Sequence, residues 1–244
     1  MSRYLRDSKA FFLHIPRTGG TWVFDTMNIL GVHSKRWMTL PISLPKNHVL
    51  LSHMSPEGMK KVDYIFAFVR NPIAYYESVW KLISIGDRGN RFGDRFGTEN
   101  LRPHWLWHPH MSVTRHYNPD FNRWVEAVLK HEPCWYTRLI ESYVGPEGAE
   151  FCDFIGRTET LNEDLLNVLE GLGYEKQIAP HREEILKKGR VHNIDREMDW
   201  DPELKRRVEE TERLVTARFY DGDNFHHKRY RERIRSWRQR TCGW

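Results

Sequence analysis

Short continuous apolar runs alternate along this chain with longer segments in which apolar and polar positions recur at helical spacing. The continuous runs predict buried strands near residues 10–15, 48–52, 63–69 and 151–156. The periodic segments predict helices near residues 20–30, 72–84, 120–131, 136–143, 161–172 and 202–218. Alternating strands and helices are typical of a three-layer α/β fold with a central, mainly parallel sheet flanked by helices.

A Gly-Gly turn follows the first apolar run, where residues 11–22 read FFLHIPRTGGTW. This pattern predicts a buried strand, a tight turn and the N-terminus of a helix, where the first N–H groups lack internal partners and the helix dipole is positive. Glycines let the backbone approach a phosphate, and Arg17, Thr18 and Thr21 add a cation and hydroxyls. The turn is therefore predicted to hold a phosphate. The alternative is a corner whose glycines serve steric needs only.

Two common nucleotide-binding motifs are absent from the sequence. No Gly-Lys is followed by Ser or Thr, as the magnesium-dependent phosphate loop of nucleotide triphosphatases requires. The G-x-G-x-x-G pattern of dinucleotide-binding folds is also missing. The cation of this turn precedes its glycines instead of following them.

A second motif begins with another apolar run, and residues 64–72 read YIFAFVRNP. The run predicts a central parallel strand covered on both faces, and Pro72 suits the first turn of the next helix. Arg70 at the carboxyl end of the strand and Ser78 about two helical turns later would face one anion. Ligands of open α/β sheets bind at this carboxyl edge. Alternatively, Arg70 caps the structure and Ser78 only packs.

Together the two motifs resemble those of sulfotransferases that use 3′-phosphoadenosine 5′-phosphosulfate (PAPS). PRTGGTW is similar to their 5′-phosphosulfate loop, with Arg17 where the family usually has lysine, and VRNP followed by Ser78 is similar to their 3′-phosphate motif. The resemblance implies a P-loop-like fold, transfer of the sulfuryl group of PAPS to an acceptor hydroxyl, release of 3′-phosphoadenosine 5′-phosphate (PAP), and no metal. It assigns the 5′-phosphate and adenine to Arg17, Thr18, Gly19, Gly20, Thr21 and Trp22, and the 3′-phosphate to Arg70 and Ser78.

A general base is expected near the end of the second predicted strand. Residues 49–56 read VLLSHMSP, which resembles the strand and His segment that carries the base in cytosolic sulfotransferases. His53 suits this role because the pKa of histidine lies near the operating pH. Other branches of the family use glutamate, so Glu57 and Glu77 remain alternatives.

Two later segments resemble further parts of the donor site. Residues 154–159, FIGRTE, resemble the strand end that approaches the adenine, with Thr158 in place of a frequent tyrosine. Residues 187–192, KKGRVH, resemble the loop that closes over the 3′-phosphate, which assigns Lys188, Gly189 and Arg190 to the cofactor. An ordinary solvated charge run is the alternative for this second segment.

Length and composition predict one soluble domain. The 244 residues are 39% hydrophobic, enough for a full α/β core, and no linker divides them, so a single domain over residues 1–244 is expected. No N-terminal apolar run of signal or membrane length is present, which predicts a cytoplasmic enzyme. Cys134, Cys152 and Cys242 lack metal or redox spacing and are expected to be reduced thiols.

Two segments stand apart in composition. Residues 85–118 form a predicted irregular insert on the acceptor side, where Trp105 and Trp107 offer flat surfaces to a sugar ring, so a glycan or other alcohol is favoured as acceptor. Four histidines in and beside this insert lack the further ligands of a zinc site.

The C-terminal tail, residues 226–244, carries a charge of +6, which leaves −1 for the rest of the chain. The tail is either a solvated basic helix or an anion-binding arm, and no stable nucleic-acid partner is expected. A nucleotide kinase-like enzyme and a non-enzymatic module that binds anions or nucleic acid are the alternative functions.

Overall fold

The computed structural model describes residues 2–36, 60–87, 112–145, 152–188 and 198–221. These residues group into two compact units. The first takes described residues from 1–69 and 143–192, and the second takes those from 70–142 and 193–221. Each unit is thus assembled from separate stretches of chain. The single-domain organisation expected from the sequence stays a prediction.

A five-stranded sheet forms the centre of the first unit. Its strands are β1 (Arg3–Leu5), β2 (Ala10–Leu13), β3 (Ser34–Arg36), β4 (Tyr64–Val69) and β5 (Phe154–Arg157), in the order β3-β1-β2-β4-β5. β2 pairs in parallel with β4, and β4 with β5, whereas β1 is antiparallel to both β2 and β3. Four of the five strands therefore share one direction. The predicted α/β class with a mainly parallel sheet is confirmed.

Nine α-helices lie in the described part of the chain. In chain order they are α1 (Gly20–Ile29), α2 (Pro72–Asp87), α3 (Phe121–His131), α4 (Trp135–Val144), α5 (Leu161–Gly171), α6 (Glu175–Ile178), α7 (Arg182–Lys187), α8 (Pro202–Thr211) and α9 (Arg213–Phe219). Short 3₁₀ segments span Val113–His116 and Thr158–Thr160.

The core of the first unit explains its continuous apolar runs. Every residue of β2 and of β4 is buried, as expected for strands covered on both faces. Phe12 of β2 stacks on Phe66 of β4 with ring centroids 5.3 Å apart, and Phe68 meets Phe154 of β5 edge-on at 6.2 Å. These aromatic contacts join the three parallel strands that end beside the predicted phosphate turn.

Aromatic side chains also fill the second unit. Buried rings from α2 and α3 pack edge-on against Trp135 of α4, namely Tyr76 at 5.4 Å and Trp124 at 6.4 Å between centroids. Side-chain caps begin two of its helices: the Asp120 carboxylate accepts from the Arg123 N–H, and the Asp201 carboxylate accepts from the N–H groups of Glu203 and Leu204.

The structure contains short elements that the sequence did not predict, among them α6 and α7, and it divides one predicted helix. β1 and β3 were not predicted, since three residues are too few to show a period. The helix predicted over 202–218 is two helices separated at Glu212. The strand predicted near 48–52 lies outside the described residues.

Candidate active site

The turn after β2, called here the cradle turn (residues 16–21), has two residues in the left-handed backbone region. Arg17 has φ 64° and Gly19 has φ 84°. Glycine adopts this region freely, but for an L-residue such as arginine it is costly and is found mainly where a site requires it. Helix α1 begins directly afterwards with Gly19 as its N-cap, and no side chain caps it among the described residues. Its first N–H groups are therefore left to a ligand or to water.

Both glycines of the cradle turn lie against neighbouring side chains. A Cβ at Gly19 would lie 2.5 Å from the Leu161 Cδ2 atom, and one at Gly20 would lie 1.9 Å from the His14 Cδ2 atom. The steric role that the sequence left open is therefore real. It is compatible with anion binding, because the same absence of Cβ atoms leaves the backbone N–H groups uncovered.

The two threonines of the cradle turn differ in environment. Thr18 is fully buried, and its Oγ1 donates a hydrogen bond to the carbonyl oxygen of Ile15 at 2.9 Å. Thr21 is exposed on the first turn of α1. The Thr18 hydroxyl thus closes the turn from inside, whereas the Thr21 hydroxyl is open to solvent.

The second motif lies at the passage from β4 to α2. Arg70 is the next residue after β4, and Asn71 caps α2 by accepting a hydrogen bond from the Ile73 N–H at 3.0 Å. Pro72 takes the first helical position, as predicted. Ser78 lies further along α2 and is 4% exposed.

A tyrosine of α4 holds the backbone of Arg70. The Tyr136 hydroxyl accepts from the Arg70 N–H at 3.0 Å and donates to the Arg70 carbonyl oxygen at 2.8 Å. Its ring stacks on Tyr75 with centroids 3.9 Å apart. One fully buried side chain therefore fixes both peptide groups that flank the Arg70 Cα.

Thr158 connects the end of β5 to the neighbouring strand. Its Oγ1 donates to the Val69 carbonyl oxygen at 2.7 Å, and its Cγ2 would lie 3.8 Å from a Cβ at Gly19. The residue is 1% exposed. It supports the carboxyl edge of the sheet and packs beside the cradle turn.

Two predicted cofactor residues of the first unit meet in the structure. The Lys188 ammonium lies over the Trp22 ring, 5.9 Å from its centroid. Trp22 is 7% exposed, so most of the ring surface is covered. A link between residues this far apart in the chain was suggested by the family resemblance alone.

Several predicted site residues lie outside the described residues. These are His53, Glu57, Gly189, Arg190, the central part of the insert with Trp105 and Trp107, and the basic tail. Glu77, the other alternative base, is on α2 and accepts a hydrogen bond from the Trp200 indole N–H at 2.9 Å. The Trp200 indole therefore fixes the position of the Glu77 carboxylate.

A family comparison decides the class of the protein. A model described as the sulfotransferase family matches residues 3–224. The chain belongs to the sulfotransferase family. It is therefore a transferase that moves a sulfuryl group from a donor to an acceptor hydroxyl. Neither a comparison with curated proteins nor one with solved structures finds a match.

A buried glutamate stabilises the helix that carries Tyr136 in this sulfotransferase. Glu212 is fully buried, and its carboxylate accepts from the N–H groups of Tyr136 and Thr137, from the Thr137 hydroxyl at 2.7 Å and from the Tyr76 hydroxyl at 2.8 Å. An anion at the start of α4 also complements the helix dipole. Burial, and then the neighbouring Glu212 charge, raises the pKa of Tyr76 well above its ordinary value. Tyr76 therefore remains a hydrogen-bond donor.

Within the stretches that the structure describes, no group of three or more His, Cys, Asp or Glu residues is placed to hold a metal ion. No helix among these residues has the length and apolarity needed to cross a membrane.

Sequence reasoning missed the residues that support the site. Tyr136 and Glu212 contact the second motif directly or through α4, and His14 packs on Gly20. Their partners are distant in sequence or set by side-chain direction, which no local pattern encodes. Asn162 falls within the helix predicted near 161–172, but the sequence did not predict its hydrogen bonds to Trp22, Ile185 and Lys188.

Proposed function

We propose that this protein is a PAPS-dependent sulfotransferase that transfers the sulfuryl group to an acceptor hydroxyl, with a glycan or other alcohol as the favoured acceptor. PAP is then the product that leaves. The reaction needs no metal in this proposal, because protein cations and helix dipoles supply the positive charge.

The observation that carries the proposal is the geometry of the cradle turn. Two left-handed residues, Arg17 and Gly19, lead into a helix whose N-terminus has no capping side chain among the described residues. Successive backbone N–H groups in such a conformation form a concave site for an anion. In the proposal the turn binds the 5′-phosphosulfate through these N–H groups, and Thr21 adds its hydroxyl. Thr18 contributes its backbone, since its hydroxyl donates to Ile15.

Arg70 and Ser78 bind the 3′-phosphate in this proposal. Support comes from the Tyr136 hydroxyl, which fixes the Arg70 backbone at the end of β4, and from the cap and proline that start α2. Strand β4 is the parallel neighbour of β2, so both motifs follow strands that end at the same edge of the sheet. Trp22, Thr158, Lys188, Gly189 and Arg190 complete the proposed donor site.

The residues divide the chemistry between them. When bound, PAPS supplies an activated sulfuryl group on a phosphate that leaves as an anion. Arg17 neutralises the negative charge that develops on this leaving phosphate. His53 accepts the proton of the acceptor hydroxyl at an imidazole nitrogen, with Glu77 and Glu57 as the alternative bases. Positioning and electrostatics then account for most of the rate.

Calorimetry with PAP and 5′-AMP tests the donor assignment. PAP is expected to bind at least about tenfold more tightly, because a charge-assisted hydrogen bond to the 3′-phosphate contributes roughly 1.5–3 kcal/mol. Arg70→Ala and Ser78→Ala should each weaken PAP binding and leave 5′-AMP binding nearly unchanged. Binding of ATP tests the alternative of a nucleotide kinase-like enzyme, and binding of an oligonucleotide tests the alternative of a nucleic-acid-binding module.

Matched controls are available within the same unit. Ser84→Ala removes another partly buried serine of α2, whose hydroxyl donates to the Lys81 carbonyl oxygen, and Arg123→Ala removes an exposed arginine. Both should leave the preference for PAP intact. Equal affinity of the wild type for PAP and 5′-AMP would exclude the proposed 3′-phosphate site. A separate screen of acceptors with labelled PAPS would identify the class of the second substrate from the compounds that become labelled.

A further inference from the structure

Asn162 uses its side-chain amide to join three segments of the first unit. Its Oδ1 accepts a hydrogen bond from the Trp22 indole N–H. Its Nδ2 donates to the carbonyl oxygens of Ile185 at 2.8 Å and Lys188 at 3.2 Å. The second residue of α5 is thus bonded to α1 and to the end of α7.

The chemistry of these partners fixes the orientation of the amide. An indole N–H can only donate and a backbone carbonyl can only accept, so the Oδ1 atom must face Trp22 and the Nδ2 atom must face α7. No other side chain of similar size offers one acceptor and two donors in this arrangement. Aspartate keeps the acceptor but cannot donate to either carbonyl.

Helix α7 depends on such contacts for its position. It has six residues, too few to be stable in isolation, and its one buried residue is Ile185. Lys188 is its C-cap and begins the basic segment Lys188-Gly189-Arg190. The bonds from Asn162 to the carbonyl oxygens of Ile185 and Lys188 therefore fix the backbone at the C-terminal end of α7.

Asn162 also determines which groups meet beside the cradle turn. Asn162 bonds to the Trp22 indole N–H and to the Lys188 backbone carbonyl oxygen, and the Lys188 ammonium lies 5.9 Å from the centroid of the Trp22 ring. The Lys188 side chain is 43% exposed, and its ammonium also lies 3.8 Å from the Glu184 carboxylate. A phosphate bound beside these groups would compete with the Glu184 carboxylate for this ammonium.

We propose that Asn162 is a positioning residue of the donor site, which fixes the Trp22 ring and the Lys188 backbone beside each other so that one nucleotide meets both residues. This inference rests on the proposed PAPS function and adds a residue to it. Asn162 itself touches no reacting atom.

Asn162→Ala and Asn162→Asp in the full-length chain test the proposal. Each is expected to weaken PAP binding by about tenfold in calorimetry, the size typical of losing one or two ordered hydrogen bonds. The KM for PAPS should rise by a similar factor, whereas kcat at saturating PAPS should stay within about twofold. 5′-AMP should lose less affinity than PAP, because it lacks the phosphate that Lys188 would meet.

A double-mutant cycle with Trp22→Phe tests the coupling. Phenylalanine keeps an aromatic face and removes the indole N–H, so it deletes the same hydrogen bond from the other side. The double variant Trp22→Phe with Asn162→Ala should bind PAP about as weakly as the weaker single variant. If Asn162→Ala fails to fold, Trp22→Phe still tests the bond, and an unchanged PAP affinity in that variant would overturn the proposal.

Asn122 provides a matched control in the second unit. Its Nδ2 donates to the Asp199 carbonyl oxygen and its Oδ1 accepts from the Asp201 N–H, both near 3 Å. Asn122→Ala should lower thermal stability to a similar extent and leave PAP affinity unchanged. Asn162 variants that bind PAP no more weakly than Asn122→Ala would overturn the positioning role alone. A wild type that binds no PAP would overturn the proposed donor, and this inference with it.

Discussion

Arg17 combines charge with an unfavourable backbone conformation. Its φ of 64° costs an L-residue about 1–2 kcal/mol relative to the right-handed region. Such strain is retained where the surrounding structure requires it, often at functional sites. Glycine would relieve the strain but would lose the cation. Substitutions at this position can therefore separate backbone geometry from charge.

We predict that Arg17→Ala and Arg17→Gly both lower turnover by about a hundredfold or more, as expected when a group that stabilises developing charge is removed. Arg17→Gly should be the more stable of the two by about 1 kcal/mol, because glycine accepts the positive φ. Arg17→Lys should retain appreciable activity, since an ammonium still neutralises the leaving phosphate. Steady-state kinetics and thermal unfolding measure these effects.

Normal turnover in Arg17→Ala would contradict the catalytic role. Loss of turnover in Arg17→Lys alone would show that the planar guanidinium is needed. PAP binding serves as the control and should be partly retained in all three variants, because the proposed 3′-phosphate contacts remain.

His53→Gln is expected to lower turnover by about a hundredfold, a typical share of general-base catalysis. PAP affinity should barely change, because His53 is proposed to contact the acceptor. The wild-type rate should fall as the pH drops through the titration of the imidazole, and this limb should disappear in the variant. His33→Gln, which changes an exposed histidine, is the control. Near-normal turnover of His53→Gln would transfer the role to a carboxylate such as Glu77.

At the scale of elements, Glu212 joins four helices of the second unit. It lies between α8 and α9 and caps α4, and it also accepts from Tyr76 of α2. Removing a buried carboxylate leaves its hydrogen-bond donors unsatisfied, and each costs about 1–3 kcal/mol. Because α4 carries Tyr136, the effect should reach the Arg70 backbone.

Glu212→Ala is predicted to reduce the free energy of unfolding by about 3 kcal/mol or more, and Glu212→Gln by about half as much, since the amide oxygen still accepts. Urea unfolding measures both. Glu209→Ala, which removes an exposed glutamate of the neighbouring helix α8, should change stability by less than about 0.5 kcal/mol. A Glu212→Ala protein as stable as Glu209→Ala would show that the hydrogen bonds to Glu212 do not stabilise the unit.

The elements that sequence reasoning predicted well have strong local signals. The bounds of α1, α2 and α3 agree with the prediction to within a few residues, because their apolar periods and the Asp120 cap are encoded locally. The break at Glu212 was not predictable, since it depends on partners about 75 residues away. The same holds for the site: Arg17 and Arg70 follow from motifs, whereas Tyr136 and Asn162 follow only from the fold.

At the scale of the whole molecule, the C-terminal tail (residues 226–244) differs from the rest of the chain in its charge and lies outside the family match. The family match ends at residue 224, whereas the basic residues of the tail begin at Lys228. The chain has a net charge of +5 with the tail and −1 without it. Global charge governs nonspecific association with polyanions and says little about fold.

Removal of residues 226–244 is expected to leave kcat/KM within about twofold when assayed at moderate salt, where long-range charge effects are screened. Retention on a polyanionic resin should fall strongly, because the remaining chain is weakly acidic. Steady-state kinetics and chromatography on the polyanionic resin compare the full-length and truncated proteins, and gel filtration checks that the truncated protein is folded. A large loss of kcat/KM with folding intact would assign the tail a part in catalysis.

The contacts of Glu212 also bear on the order in which the chain can fold during synthesis. The ribosome makes α4 long before it makes residue 212, so until then the N–H groups of Tyr136 and Thr137 have only water in place of the Glu212 carboxylate. A nascent chain of 200 residues would contain both signature motifs and all five strands, yet lack the carboxylate that completes the support of Arg70. Productive binding of the donor by a growing chain is therefore expected only after residue 212 has emerged.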